Sequence, residues 1–209
     1  MVRWHTWIVS ALCLCLLATA PARADPGTAR AAAEQGAQNI LGLLNDPAFK
    51  NPDTRAAQRQ KIENAILDLF DFEEFSTRTV GPQWRQFTPE QKKDFQTAFT
   101  ELLRNTYIDT LDAYDGQQIQ FTGELSSNNG TRVEIQMDFL GRDKTYPAAF
   151  RMLVKNDRWV VYDIIIEGIS MIKNYRDQFR DILGKGSPDD LIRRVQAKAQ
   201  EQLNKSKER

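Results

Sequence analysis

Beyond residue 24 this 209-residue chain has no cysteine and no histidine; Cys13, Cys15 and the single histidine, His5, all fall before that point. The stretch that holds them reads as a leader. Arg3 and His5 precede an apolar run from Trp7 to about Ala20, and Ala22-Arg23-Ala24 fits an A-x-A cleavage site, the three-part pattern of a secretory signal peptide. The run is short for a membrane span. No small residue precedes Cys13 or Cys15, as lipoprotein processing would require. The sequence therefore predicts removal of residues 1–24, leaving 25–209 as one exported domain without a lipid anchor. Lacking Cys and His, that domain holds no Cys-His zinc site, disulfide, thiol nucleophile or Ser-His-Asp triad. Charge excludes a further class: without Arg3 and Arg23, 26 basic residues face 28 acidic ones, a net charge near −2. Nucleic-acid binding would want a strong positive excess.

What remains, about 185 residues, is enough for one domain with a real core. Its first part, residues 25–115, reads as helical. An alanine-rich stretch from Gly27 carries Ile40, Leu41, Leu43 and Leu44 near its end, so it is expected to pack by its second half. A second helix places Ile62, Ala65, Ile66 and Leu69 on one stripe, and a short third takes Phe72, Phe75 and Val80 before Gly81-Pro82. Thr88-Pro89-Glu90-Gln91 is the clearest start signal, a Thr cap with Pro in the first helical position and Gln in the capping-box position. The helix it opens should run to about Tyr114. Phe95, Ala98, Phe99, Leu102, Leu103 and Leu111 keep its 3.6-residue period, and Tyr107 and Ile108 widen the stripe.

Over residues 117–167 the period changes to two. Ile119 and Phe121 alternate, then Val133, Ile135, Met137 and Phe139, with Asn129-Gly130 between them as a hairpin turn. Strands over about Tyr146 to Lys155 and Trp159 to Ile166, turning at Asn156-Asp157, complete a four-stranded antiparallel meander. The unbroken Ile164-Ile165-Ile166 predicts cover on both faces. Residues 169–205 return to helix, with Ile169, Met171, Ile172, Tyr175, Phe179, Ile182 and Leu183 on one stripe, then Ser187-Pro188-Asp189-Asp190 opening the last helix.

Most motifs that suggest chemistry have a simpler structural reading. Gly184-Lys185-Gly186-Ser187 has no glycine five residues before Gly184 and no strand leading into it, so it reads as a helix stop and not a phosphate loop. Gly168-Ile169-Ser170 lacks the second glycine of a nucleophile elbow, and no histidine stands ready to activate the serine. Asn129-Gly130-Thr131 matches a glycosylation sequon but reads as a turn. Asp163 interrupts an apolar strand; it is either a catalytic carboxylate, as in an isomerase with a neighbouring tyrosine, or an acid held by hydrogen bonds or an arginine.

Two stretches carry a family resemblance. Phe75 to Phe121, with Gly81, Trp84, Thr88-Pro89, Phe95, Phe99, Leu103 and Tyr107, and Trp159 to Phe179, with Tyr162-Asp163-x-x-x-Glu167-Gly168-Ile169-Ser170, together resemble the MlaC or toluene-tolerance family. The resemblance extends over essentially the whole mature chain. It implies an α+β fold, a helical layer on a four-stranded antiparallel sheet, nuclear-transport-factor-like, with an apolar lipid cavity. It also implies a periplasmic phospholipid carrier without cofactor, working between an outer-membrane lipoprotein complex and an inner-membrane ABC transporter complex with a membrane-anchored substrate-binding subunit. Placed on that fold, the aliphatic and aromatic positions expected to meet lipid are Phe99, Leu103, Tyr107, Phe139, Phe150, Met152, Ile164, Ile166, Ile169 and Met171. A hopanoid or other polycyclic lipid is the alternative ligand; an isomerase-like enzyme of the same fold and a ligand-free envelope adaptor are the alternative functions.

Overall fold

A computed structural model describes residues 26–127 and 130–207. The expected leader and its cleavage site lie outside these residues, as does Asn129 of the expected hairpin turn. Helix α1 (Pro26–Asn45) is followed by a single turn, α2 (Pro47–Lys50), then α3 (Pro52–Leu69) and α4 (Phe72–Val80), a 3-10 segment over Gly81–Gln86, and α5 (Pro89–Asp112). Five strands come next, β1 (Gln118–Ser127), β2 (Arg132–Leu140), β3 (Thr145–Lys155), β4 (Arg158–Ile166) and β5 (Ile169–Ser170), and the chain ends in α6 (Met171–Leu183) and α7 (Pro188–Lys207).

Local chemistry accounts for most of these boundaries. Asp46, Asn51, Asp71 and Ser170 each accept a backbone N–H at the start of a helix, satisfying donors that the first turn leaves free. At α5 the capping box forms in both directions, Gln91 N–H to Thr88 Oγ1 at 3.2 Å and Thr88 N–H to Gln91 Oε1 at 3.0 Å. Between β3 and β4, Asn156 and Asp157 both take positive φ, 49° and 57°, the pairing of a type I′ turn whose twist matches the strands it joins.

The sheet is an antiparallel meander in the order β1-β2-β3-β4-β5, one strand more than the sequence predicts. Glu167 and Gly168, at φ 49° and 79°, turn β4 back so that Ile166 pairs with Ile169 and Ile165 with Ser170. A strand of two residues leaves no alternation to read. A register shift between β3 and β4 follows Arg151 and leaves Tyr162 unpaired between Asp163 and Val161. Such a bulge resets which face the following residues occupy.

Three apolar clusters hold the layers together. One joins α4, α5, α6 and α7 through Phe75, Phe95, Phe99, Tyr175, Phe179, Leu191 and Val195. A second sets Ala29 and Ala33 of α1 and Leu69 of α3 against Val133, Ile135, Met137, Phe150, Met152 and Val161 of the sheet. A third, smaller cluster of Leu44, Phe49 and Ile62 ties α1 to α2 and α3. The first helix therefore packs along its whole length, not only by its second half. Alanines at Ala29, Ala33 and Ala37 lie one turn apart on one face, and their small side chains let that face lie directly on the strands.

Candidate functional site

The longest helix has two apolar sides with different neighbours. One side of α5, carrying Phe95, Ala98, Phe99 and Leu102, is buried in the helical cluster. The other turns Thr100, Leu103, Arg104, Tyr107 and Leu111 towards an open space of about 290 Å³. Across that space stand Glu63, Ile66 and Leu67 of α3, Phe70 beyond its end, and Phe72 and Phe75 of α4. Ile164 and Ile166 of β4 and Met171 at the start of α6 close the remaining side. The lining is dominated by aliphatic and aromatic carbon, with Glu63, Thr100, Arg104 and the Tyr107 hydroxyl as its polar groups. Leu67, Tyr107 and Ile166 are 47%, 41% and 37% exposed, so apolar surface continues out to the mouth.

The cavity exists because β4 changes character along its length. Trp159 to Asp163 are buried, whereas Ile164 and Ile165 are half-buried and Ile166 is exposed. The three isoleucines are thus not covered on both faces, as their sequence predicts; Ile164 and Ile166 end the strand at the cavity. The turn at Glu167-Gly168 then brings Met171 back beside Tyr107, whose hydroxyl donates to the Met171 sulfur at 3.5 Å.

Of the positions expected to meet lipid, Leu103, Tyr107, Ile164, Ile166 and Met171 line this space. Phe99, Phe139, Phe150, Met152 and Ile169 are not among its lining residues. Phe99 is fully enclosed by the rings of Phe75, Phe95, Tyr175 and Phe179 at 4.9 to 5.5 Å. Phe150 pairs across the sheet with Ile164, but Phe70 meets it edge-on at 5.9 Å and stands on the cavity wall in its stead. Met152 is fully buried in the cluster under α1, and Phe139 packs at its edge. Ile169 is 63% exposed on the short β5. The α3–α4 wall was not expected from the sequence, because Ile66 belongs to the same stripe as the buried Ile62 and Leu69.

Asp163 has another task. It is 1% exposed and is not among the cavity-lining residues. Its Oδ2 accepts the Ser170 hydroxyl at 2.6 Å and the Arg151 guanidinium at 3.3 Å, and its Oδ1 accepts the Ile172 N–H at 3.0 Å. The acid fastens the N-terminus of α6 to the sheet, satisfying buried donors there. The phenols of Tyr107 and Tyr175 are held in their neutral form. Burial raises the pKa of Tyr107 and of Tyr175, and Tyr107 beside it raises that of Tyr175 further. An isomerase built on Asp163 with a tyrosine has no support in this arrangement.

Comparison with known proteins agrees with this geometry. The family model described as MlaC protein matches residues 34–197. The intermembrane phospholipid transport system binding protein MlaC of Haemophilus influenzae is 25% identical over 149 residues, 69% of this chain and 70% of that protein. Toluene tolerance protein ttg2D of Pseudomonas putida is 29% identical over 154 residues, 72% of this chain and 70% of that one. Among solved structures, a phospholipid-binding protein from Ralstonia solanacearum, determined in complex with a phospholipid, superposes with a TM-score of 0.75 at 24% identity, over 83% of this chain and 98% of that one. The last match establishes a common fold; the family model, spanning most of the chain, establishes descent, and the chain belongs to the MlaC family.

Proposed function

We propose that this protein is a periplasmic phospholipid carrier that holds acyl chains in the cavity between α3–α4, α5 and the end of β4. The observation that carries the reading is the cavity itself, about 290 Å³ of mostly hydrocarbon-lined space with an apolar mouth. Its relatives are named for phospholipid transport and toluene tolerance, and the structural neighbour was solved with a phospholipid bound. No helix among the described residues is long and apolar enough to cross a membrane. The function needs no covalent step. At about 0.8 kcal/mol per methylene, two tails of roughly fifteen methylenes would cost on the order of 24 kcal/mol to place in water, so a lipid crosses an aqueous gap only if a protein shields it.

The volume, about 290 Å³, falls just below the roughly 300–1,000 Å³ typical of small-molecule pockets, so a two-tailed lipid requires the walls to part. The packing suggests where. The far end of α5 and the residues just beyond it are tied to α3 by the Arg59–Asp112 ion pair and to α1 by Asn45 Nδ2 donating to the Tyr114 hydroxyl at 3.0 Å. The middle of α5 faces α3 and α4 across the open space. In this reading α3 swings on that tie while α4 stays stacked on α5 through Phe75 and Phe99, loading and release occurring at membrane complexes in the outer and inner membranes. Protein purified from a periplasmic fraction without detergent should carry phospholipid when examined by native mass spectrometry. Recovery free of lipid, and failure to take any up from vesicles, would reject the carrier reading; a polycyclic lipid of hopanoid mass would redirect it.

A further inference from the structure

Within a lining that otherwise carries no charge, two full charges of opposite sign stand on opposite walls of the cavity. Glu63 shares a face of α3 with Ile66 and Leu67, and Arg104 shares a face of α5 with Thr100, Tyr107 and Leu111. Glu63 is half-buried and Arg104 exposed, so both charges keep access to solvent at the cavity. They do not neutralise each other: neither takes part in an ion pair within 4.0 Å among the described residues. Arg151, by contrast, is matched to Glu134 and Asp163, and Arg59 to Asp112.

Charges left open at the edge of a hydrocarbon pocket fix the orientation of what enters it. A guanidinium offers a planar fork suited to a phosphate, and a carboxylate accepts hydrogen bonds from an ammonium. We infer that, in a protein that carries phospholipid, this mouth reads the headgroup. Arg104 takes the phosphodiester and Glu63 the ammonium of an amine-bearing phospholipid, of the ethanolamine type. The inference rests on the carrier reading and adds a preference to it: Glu63 repels a headgroup whose only charge is the phosphate, so a glycerol headgroup is the disfavoured competitor.

The test is a competition. Protein is incubated with vesicles containing equal amounts of phosphatidylethanolamine and phosphatidylglycerol with identical tails, separated from them, and its bound lipids are quantified by mass spectrometry. The wild type should enrich phosphatidylethanolamine about threefold to fivefold, the size expected of one partly exposed charge pair. Glu63→Gln should bring the ratio near parity, and Glu63→Lys should invert it. In a parallel competition with diacylglycerol of the same tails, Arg104→Gln should lose part of the preference for the phospholipid, and Arg104→Lys should recover some of it. Circular dichroism confirms that each variant folds; if Glu63→Lys does not, the Gln variant decides. Lipid uptake without headgroup preference, or a ratio that neither Glu63 variant moves, overturns the headgroup inference and leaves the carrier standing. No uptake of either phospholipid overturns the carrier reading itself.

Discussion

Replacing Leu103 by tryptophan separates cavity from core on a single helix. Leu103 faces the open space, whereas Phe99, one turn earlier, is enclosed by four aromatic rings. A tryptophan at Leu103 adds about six non-hydrogen atoms to a space of about 290 Å³. If about three of them take positions that tail methylenes would occupy, the loss is roughly 2.4 kcal/mol, or about fiftyfold in lipid affinity. Stability of the lipid-free protein should change by less than about 1 kcal/mol, because the ring enters unfilled volume. The same substitution at Phe99 overpacks a filled interior and should cost about 1 to 3 kcal/mol. Lipid content is read by mass spectrometry and stability by urea melts of delipidated protein, since bound lipid stabilises the native state and would mask the comparison. Normal lipid content in Leu103→Trp together with a large loss of stability would refute the assignment of that face.

Other expectations follow from the framework around the site. Asp163→Ala strands the Ser170 hydroxyl, the Ile172 N–H and part of Arg151; a cost of about 3 to 5 kcal/mol is expected, measured by denaturant melts, and a cost below about 1 kcal/mol would show that α6 does not depend on this anchor. Thr88→Ala removes half of the α5 capping box and should cost about 1 kcal/mol, with an unchanged melt telling against the cap. Glu201 is bonded by Lys205 and then Lys198, which hold its pKa down to about 2 from an ordinary 4.5. Because the folded value is the lower one, its contribution is complete above about 4.5 and fades as pH falls towards about 2. A carbon NMR titration should find this carboxyl ionised at pH 3.5, and a midpoint near 4.5 would dissolve the cluster.

The sequence makes the frame of this protein legible where local chemistry decides it. Thr88 and Gln91 announce a capping box, and Asn156-Asp157 a tight hairpin, because those residues satisfy or adopt what the backbone needs at that point. It stops being legible where two solutions share one pattern. Along α5, Phe99 and Leu103 belong to one stripe of 3.6-residue period, and nothing in that period says that one meets four rings and the other open space. The α3 stripe has the same ambiguity: Ile62 is core and Ile66 is cavity wall. On the sheet, Phe150 and Ile164 pair, yet Phe70, distant in sequence from both, packs on Phe150, and only Ile164 lines the cavity. Glu63 and Arg104 were silent for another reason. A charged residue on an amphipathic helix reads as solvated surface until the opposing wall is known.

Photocrosslinking tests the central claim most directly. A phospholipid carrying a diazirine near the end of one tail would be loaded into the protein, activated by light, and its adducts mapped by peptide mass spectrometry. The account predicts adducts on α3–α4 and α5 together, at positions such as Ile66, Phe70, Phe72, Leu103 and Tyr107, with Ile164 or Met171 from the sheet side. Adducts confined to exposed surface such as Ile169 and β1, with none on the facing walls of α3–α4 and α5, would contradict it.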